Sequence, residues 1–141
     1  MNGLYEFLAR TSAVASLLGS DASQAPAIYF TLAAKTPPRP FLVIHLVSAV
    51  PAATVLDFST PSLMDGRIQF DSYADDPLTA RQISQAVRLA LQDYNGGLPD
   101  GTVWSAKGVN VDLDDPYEEG GIGYIFRAVL DLSAFYTEPG T

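Results

Sequence analysis

Residues 66–94 constrain the fold most, because a strand, a capped turn and a long amphipathic helix follow one another there without interruption. In Arg67-Ile68-Gln69-Phe70-Asp71-Ser72-Tyr73-Ala74 the side chains alternate, with Ile68, Phe70, Ser72 and Ala74 on one side and Arg67, Gln69, Asp71 and Tyr73 on the other. One face is largely apolar and its reverse polar. Pro77 has no N–H to give a sheet but suits the first turn of a helix, and Asp76 before it can accept the free amides of that turn. Thr79 with Gln82 offers a competing capping box, about three residues further on. Ala80, Ile83, Ala86, Val87, Ala90, Leu91 and Tyr94 then recur at helical spacing, and Asn95-Gly96-Gly97 supplies the stop. Such a helix is roughly 25 Å long and covers several strands.

The rest of the chain is read around this unit. Leu4, Phe7, Leu8, Val14, Ala15 and Leu18 mark an N-terminal helix over residues 1–18, weak in propensity across Thr11-Ser12-Ala13-Val14-Ala15-Ser16. Ala27-Ile28-Tyr29-Phe30 reads as a short strand. After a proline-rich turn comes Phe41-Leu42-Val43-Ile44-His45-Leu46-Val47, apolar on nearly every residue, which requires cover on both faces. Residues 48–65 combine Pro51 and Pro61 with the strand-like Ala53-Thr54-Val55-Leu56-Asp57-Phe58 and read as an extended arm or irregular hairpin. Thr102 to Ser105 and Val109 to Leu113 read as strands, residues 114–121 as an acidic turn, Ile122 to Tyr136 as a long strand, and residues 137–141 as a frayed tail.

The expectation is a single α+β domain over residues 1–141: a mostly antiparallel sheet of four to five strands, two helices on one face (residues 1–18 and 76–95), and an extended arm. At 141 residues the chain is long enough for a core without staples, and it has no cysteine, so thiolate metal sites and thiol redox chemistry are excluded. Sixteen acidic against eight basic residues give a formal charge of −8, which disfavours binding to phosphate backbones or anionic membranes. The N-terminus has no basic segment before its apolar residues, against a signal peptide, and no apolar run approaches 18 residues. Assembly in the cytoplasm is the expectation.

No catalytic constellation is legible. Gly96-Gly97-Leu98-Pro99-Asp100-Gly101 lacks the spacing of a phosphate loop and reads as helix stop and turn. His45, the only histidine, sits in an apolar strand and reads as structural or interfacial, with no nucleophile elbow to complete a triad. Asp112, Asp114, Asp115, Glu118 and Glu119 offer oxygen ligands but lack the glycine and glutamate of a calcium loop, so they read as a solvated turn or subunit rim. The expected catalytic, cofactor and metal sites are therefore none. Arg81 and Arg88 share a helix face and could pair with an acidic neighbouring subunit, and Trp104 and the tyrosines suit an interface.

The helix Leu4-Tyr5-Glu6-Phe7-Leu8, the Ala27-Ile28-Tyr29 segment before its proline-rich turn, the entering strand Pro40-Phe41-Leu42-Val43-Ile44, the strand–helix unit 67–91 and the last strand Tyr124 to Leu132 together resemble the tail-completion or tail-terminator proteins of long-tailed bacteriophages, prophages and gene-transfer particles. The resemblance spans roughly Leu4 to Phe135. It implies a structural ring protein, usually a hexamer, that caps the tail tube, joins it to the head connector and lets DNA pass without sequence recognition, with no cofactor and no membrane. The implied partners are its own copies, the major tail tube protein and the head connector or stopper, in a virion or phage-like particle assembled in the bacterial cytoplasm. Departures from the common pattern are the low-charge run Ala49-Val50-Pro51-Ala52-Ala53-Thr54 and the acidic stretch 114–119.

Expected interface residues are Val50, Val55, Phe58, Leu63, Arg81, Arg88 and Trp104; expected lumen or rim acids are Asp114, Asp115, Glu118 and Glu119. The rival readings are a head-completion or stopper protein at the same joint, and an α+β module that binds a small ligand or divalent cation through Trp104, His45 and the acidic stretch.

Overall fold

The computed structural model describes residues 2–20, 24–31, 37–51, 63–118 and 124–137. Its elements are α1 (Asn2–Arg10), α2 (Ser12–Ala15), β1 (Ile28–Phe30), β2 (Phe41–Pro51), β3 (Leu63–Ala74), α3 (Pro77–Leu91), β4 (Asn95–Gly97), β5 (Val103–Glu118) and β6 (Tyr124–Thr137). The fold is α+β, with a mixed six-stranded sheet in the order β1-β2-β3-β6-β5-β4. Only β1 and β2 run parallel; the other neighbours are antiparallel.

The described residues form six strands and three helices, where four to five strands and two helices are expected. Of the expected arm, residues 48–51 and 63–65 are the ends of β2 and β3, since Ala49, Val50 and Pro51 pair with Gly66, Asp65 and Met64, and residues 52–62 lie outside the described residues. Three of the differences from the expected layout have local causes. The N-terminal helix is two helices, because Thr11 sits in extended backbone between them, and its hydroxyl donates to the Phe7 carbonyl at 2.7 Å, closing the first. That break falls in the weak-propensity stretch. The helix stop after α3 is itself a short strand, β4, whose Gly97 pairs with Val103. Most consequentially, the two short strands and the acidic turn are one 16-residue strand, β5, which runs through Asp114 to Glu118. It carries register shifts at Lys107 and Asn110, and Gly108 follows the first of them with φ +153. A bulge absorbs an extra residue and glycine takes a φ that side chains resist, so the strand continues past both irregularities.

The alternating pattern of β3 decides the layers. Ile68, Phe70, Ser72 and Ala74 are fully buried on the side facing α3. Residues level with them, Leu42 and Ile44 on β2 and Leu130 and Leu132 on β6, join Leu4, Leu8, Val14, Ile83, Val87, Leu91 and Trp104 in one core. Asp76 caps α3, accepting from the Thr79 N–H at 2.8 Å and the Thr79 hydroxyl at 2.7 Å, so Asp76 rather than Thr79 starts the helix. The second face of β2 is covered where β1 lies beside it: Phe41 and Val43 pack with Ala27, Ile125, Tyr29 and Tyr73, and Phe41 stacks on Tyr73 at 4.8 Å. No helix among the described residues is long and apolar enough to cross a membrane.

Candidate assembly surface

With the helices on one side, no described helix covers the other side of the sheet, and its middle is a band of paired charges. Asp71, 2% exposed, has the His45 Nε2 at 3.2 Å, accepts from Gln69 at 2.9 Å and lies 4.0 Å from Arg127. Asp131, 4% exposed, accepts from Arg67 Nη2 at 2.8 Å and Asn110 Nδ2 at 3.0 Å. A buried carboxylate needs such donors, because losing water without them is costly. His45 is thereby fixed as an open-face partner of Asp71.

Pairing extends to every described arginine and lysine: Arg10 with Glu6, Arg39 with Asp75, Arg81 and Arg88 with Asp112, and Lys107 with Asp65 complete the set. Each described cation thus has a carboxylate beside it, so the described surface carries no run of basic groups without interleaved acids. Asp76 and Asp100 act locally. Hydrogen bonds from the Thr79 hydroxyl and N–H hold the Asp76 carboxyl below the ordinary range. Burial pushes Asp100 upward, but the amides of Thr102 and Gly3, at 2.9 and 3.0 Å, outweigh it and leave its carboxyl lowered.

The expected interface residues separate. Val50, 57% exposed, and Leu63, at 37%, stand at the end of the β2–β3 pair farthest from β1, with Leu46 and Val47 also exposed on β2. Val55 and Phe58 lie outside the described residues. Arg81 and Arg88 are taken up within the chain: Arg81 Nη1 donates to Asp112 at 2.7 Å and lies 3.7 Å from Asp114, and Arg88 approaches Asp112 at 3.5 Å. Trp104 is 1% exposed and stacks on Tyr136 in the core, so it presents no surface to a neighbour.

Among the expected rim acids, Asp114 is exposed on β5, on the side facing α3. Asp115 and Glu118 are strand residues level with Arg127 and Tyr124, and Glu119 lies outside the described residues. Among the described residues no group of three or more histidines and carboxylates is gathered to hold a metal ion. A groove of about 360 Å³ between α2 and α3 is lined by Thr11, Ala13, Gln82, Gln85, Ala86, Leu89 and Ala90. It holds no titratable group, so nothing in it could move a proton.

What sequence reasoning missed is the uneven pairing at the two sides of the sheet. β1 accompanies β2 only from Leu42 to Ile44, and β4 accompanies β5 only from Val103 to Ser105. The upper part of β2, His45 to Pro51, and the long remainder of β5 therefore have no described strand on their outer edge. The available signal was the mismatch between the short flanking segments and the long strands they meet. Exposed apolar side chains mark both stretches: Leu46, Val47 and Val50 on β2, Val109 and Leu113 on β5.

The profile of a protein family described as Tail completion protein gp17 matches residues 2–137. Comparison with curated proteins finds no match. Among solved structures, a chain of the "Virion of native gene transfer agent (GTA) particle" is similar, 18% identical with TM-score 0.60, over 96% of this chain and 92% of that one. At that identity the likeness is one of fold. Another solved chain, 14% identical with TM-score 0.49 over 83% of each chain, is too distant to carry an argument.

Proposed function

The chain belongs to the family of tail completion protein gp17, structural and non-catalytic proteins of the tail–head joint in phage and gene-transfer particles, and from that premise we propose that it closes as a ring on the finished tail tube. One ring face matches the last layer of the major tail tube protein; the other presents a new surface to the head connector or its stopper. The mechanism is geometric. A head-to-tail contact that closes on itself consumes both patches of every copy, so growth of the tube ends without a separate signal.

The family match over residues 2–137 carries this reading. The paired cations support the rest of it: DNA threading the ring meets guanidinium and ammonium groups already engaged by carboxylates, and slides without sequence recognition. Six copies is the ring number we favour, assembled in the bacterial cytoplasm and retained in the particle. Asp114, Asp115, Glu118 and Glu119 we place at the rim or lumen, where their charge discourages retention of DNA. Replacing all four by their amides should increase DNA retained by assembled rings; unchanged retention removes this role.

Electron microscopy of particles produced without this chain tests the main reading. Overlong or headless tails are expected. Tails of normal length, unattached to DNA-filled heads, would place the protein one position further, as a stopper. Normal tails joined to heads would end the reading altogether.

A further inference from the structure

Resting on the ring reading, we propose that neighbouring copies join edge to edge, the upper part of β2 in one copy pairing antiparallel with the lower part of β5 in the next, along outer edges that no described strand accompanies. The two edges lie on opposite sides of the sheet, because β2 and β5 flank the β3–β6 pair. They also run in opposite directions. β3 is antiparallel to β2, β6 to β3 and β5 to β6, so β5 of one copy meets β2 of an identically oriented neighbour in antiparallel alignment. The contact is heterologous, as a closed ring requires.

The short flanking strands select the stagger. With copies level, β1 of one would occupy the place of the neighbour's lower β5, and β4 would occupy that of the neighbour's upper β2. Raising one copy by about six rungs removes both collisions for Asp112 to Tyr117, which then face Pro51 to His45 of the neighbour, above β1 and below β4. Val50 comes opposite Leu113. Both lie on the open face, Val50 level with Asp65 and Leu113 level with Val129, so the sheet's two-residue period is respected. They are also among the most exposed apolar side chains of the strands, at 57% and 45%. Ala49 meets Asp114 on the helix side in the same register.

The geometry closes. Six rungs are roughly 20 Å along the strands and the four long strands span about 19 Å across, which corresponds to a strand tilt of about 45°, at the edge of the range of closed sheets. Hydrogen-bonding groups are available. Leu42 N–H and the Ile44 carbonyl face β1, donating to Ala27 and accepting from Thr31, so alternation turns Leu46 outward beyond the end of β1. Pro51 and Pro116 bring no N–H to the seam, which keeps each joint weak. A weak joint suits copies that associate on the tube end and not in free solution.

Because the chain has no cysteine, the seam can be read covalently. Particles carrying the double variant Val50→Cys, Leu113→Cys are oxidised and resolved without reductant. A ladder of covalent multimers beyond the dimer is expected, while each single variant stays monomeric. Two outcomes overturn the seam directly: dimers from Val50→Cys alone, which mean β2 pairs with β2, or capture of either single cysteine by another particle protein. Monomer from the double variant, in particles whose tail ends show a ring in micrographs, overturns the seam and leaves the ring standing. Absence of any ring overturns both.

Discussion

Asp71 and Asp131 carry the clearest residue-scale prediction, because each is a buried carboxylate on a sheet face that no helix covers. Arg67→Met removes the guanidinium that donates to Asp131 at 2.8 Å, leaves the Asn110 amide beside that buried carboxylate, and should cost about 2 kcal/mol in chemical denaturation. Adding Asp131→Asn to that variant should recover part of the loss, since the charge without a partner is then gone. Asp76 and Asp100 give the pH dependence. Both carboxyls are lowered in the folded chain, so their contribution is fully present above the ordinary carboxylate range and is lost as pH falls through the folded values. Thermal stability should therefore decline on acidification below about pH 4, and Asp100→Asn should flatten that decline in a series of melting curves. At this scale the sequence was informative where chemistry is local. Asp76 next to Pro77 announced the start of α3. Trp104 misled, because an indole says nothing about which side of a strand faces the core, and the long-range row that buries it beside Tyr136 is invisible in one sequence.

At the scale of elements, α3 is the part that 3.6-residue spacing described best. Ala80, Ile83, Val87 and Leu91 are buried against the sheet, while Leu78 and Leu89 are exposed at 66% and 62%. Ile83→Ala should cost about 3 kcal/mol and Leu89→Ala less than about 0.5, both read from denaturant midpoints. Ser84 tests the same face from the polar side. Its hydroxyl is buried without a hydrogen-bond partner among the described residues, so Ser84→Ala should be neutral or stabilising by up to about 1 kcal/mol. β5 was the least legible element. Gly108, Pro116 and a run of carboxylates are turn signals, and they divided in the reading a strand that is continuous in the fold. Pairing with β6 on one side, and bulges that absorb two extra residues, override those local preferences. The same override explains β4, since Asn95-Gly96-Gly97 becomes a strand by lying beside Val103 to Ser105.

For the whole molecule, α+β class and helices on one face were legible because β3 and α3 each declared an apolar side, and two apolar sides in sequence must meet. Strand order was not legible, nor was the parallel β1, because both depend on which edge a short segment finds. The function was readable only through the spread of family-like segments from Leu4 to Phe135, as no single residue carries it. The structure fits a protein that works by surface matching: its described cations are paired with carboxylates, and β2 and β5 run on past the described strands beside them.

Elongation of purified tail tube in the presence of this protein measures the central claim most directly. The account predicts that tubes stop growing once the protein is added, with a ring at the stopped end and a narrowed length distribution. Tubes that continue to elongate at the unaltered rate, with no protein at their ends, would contradict it.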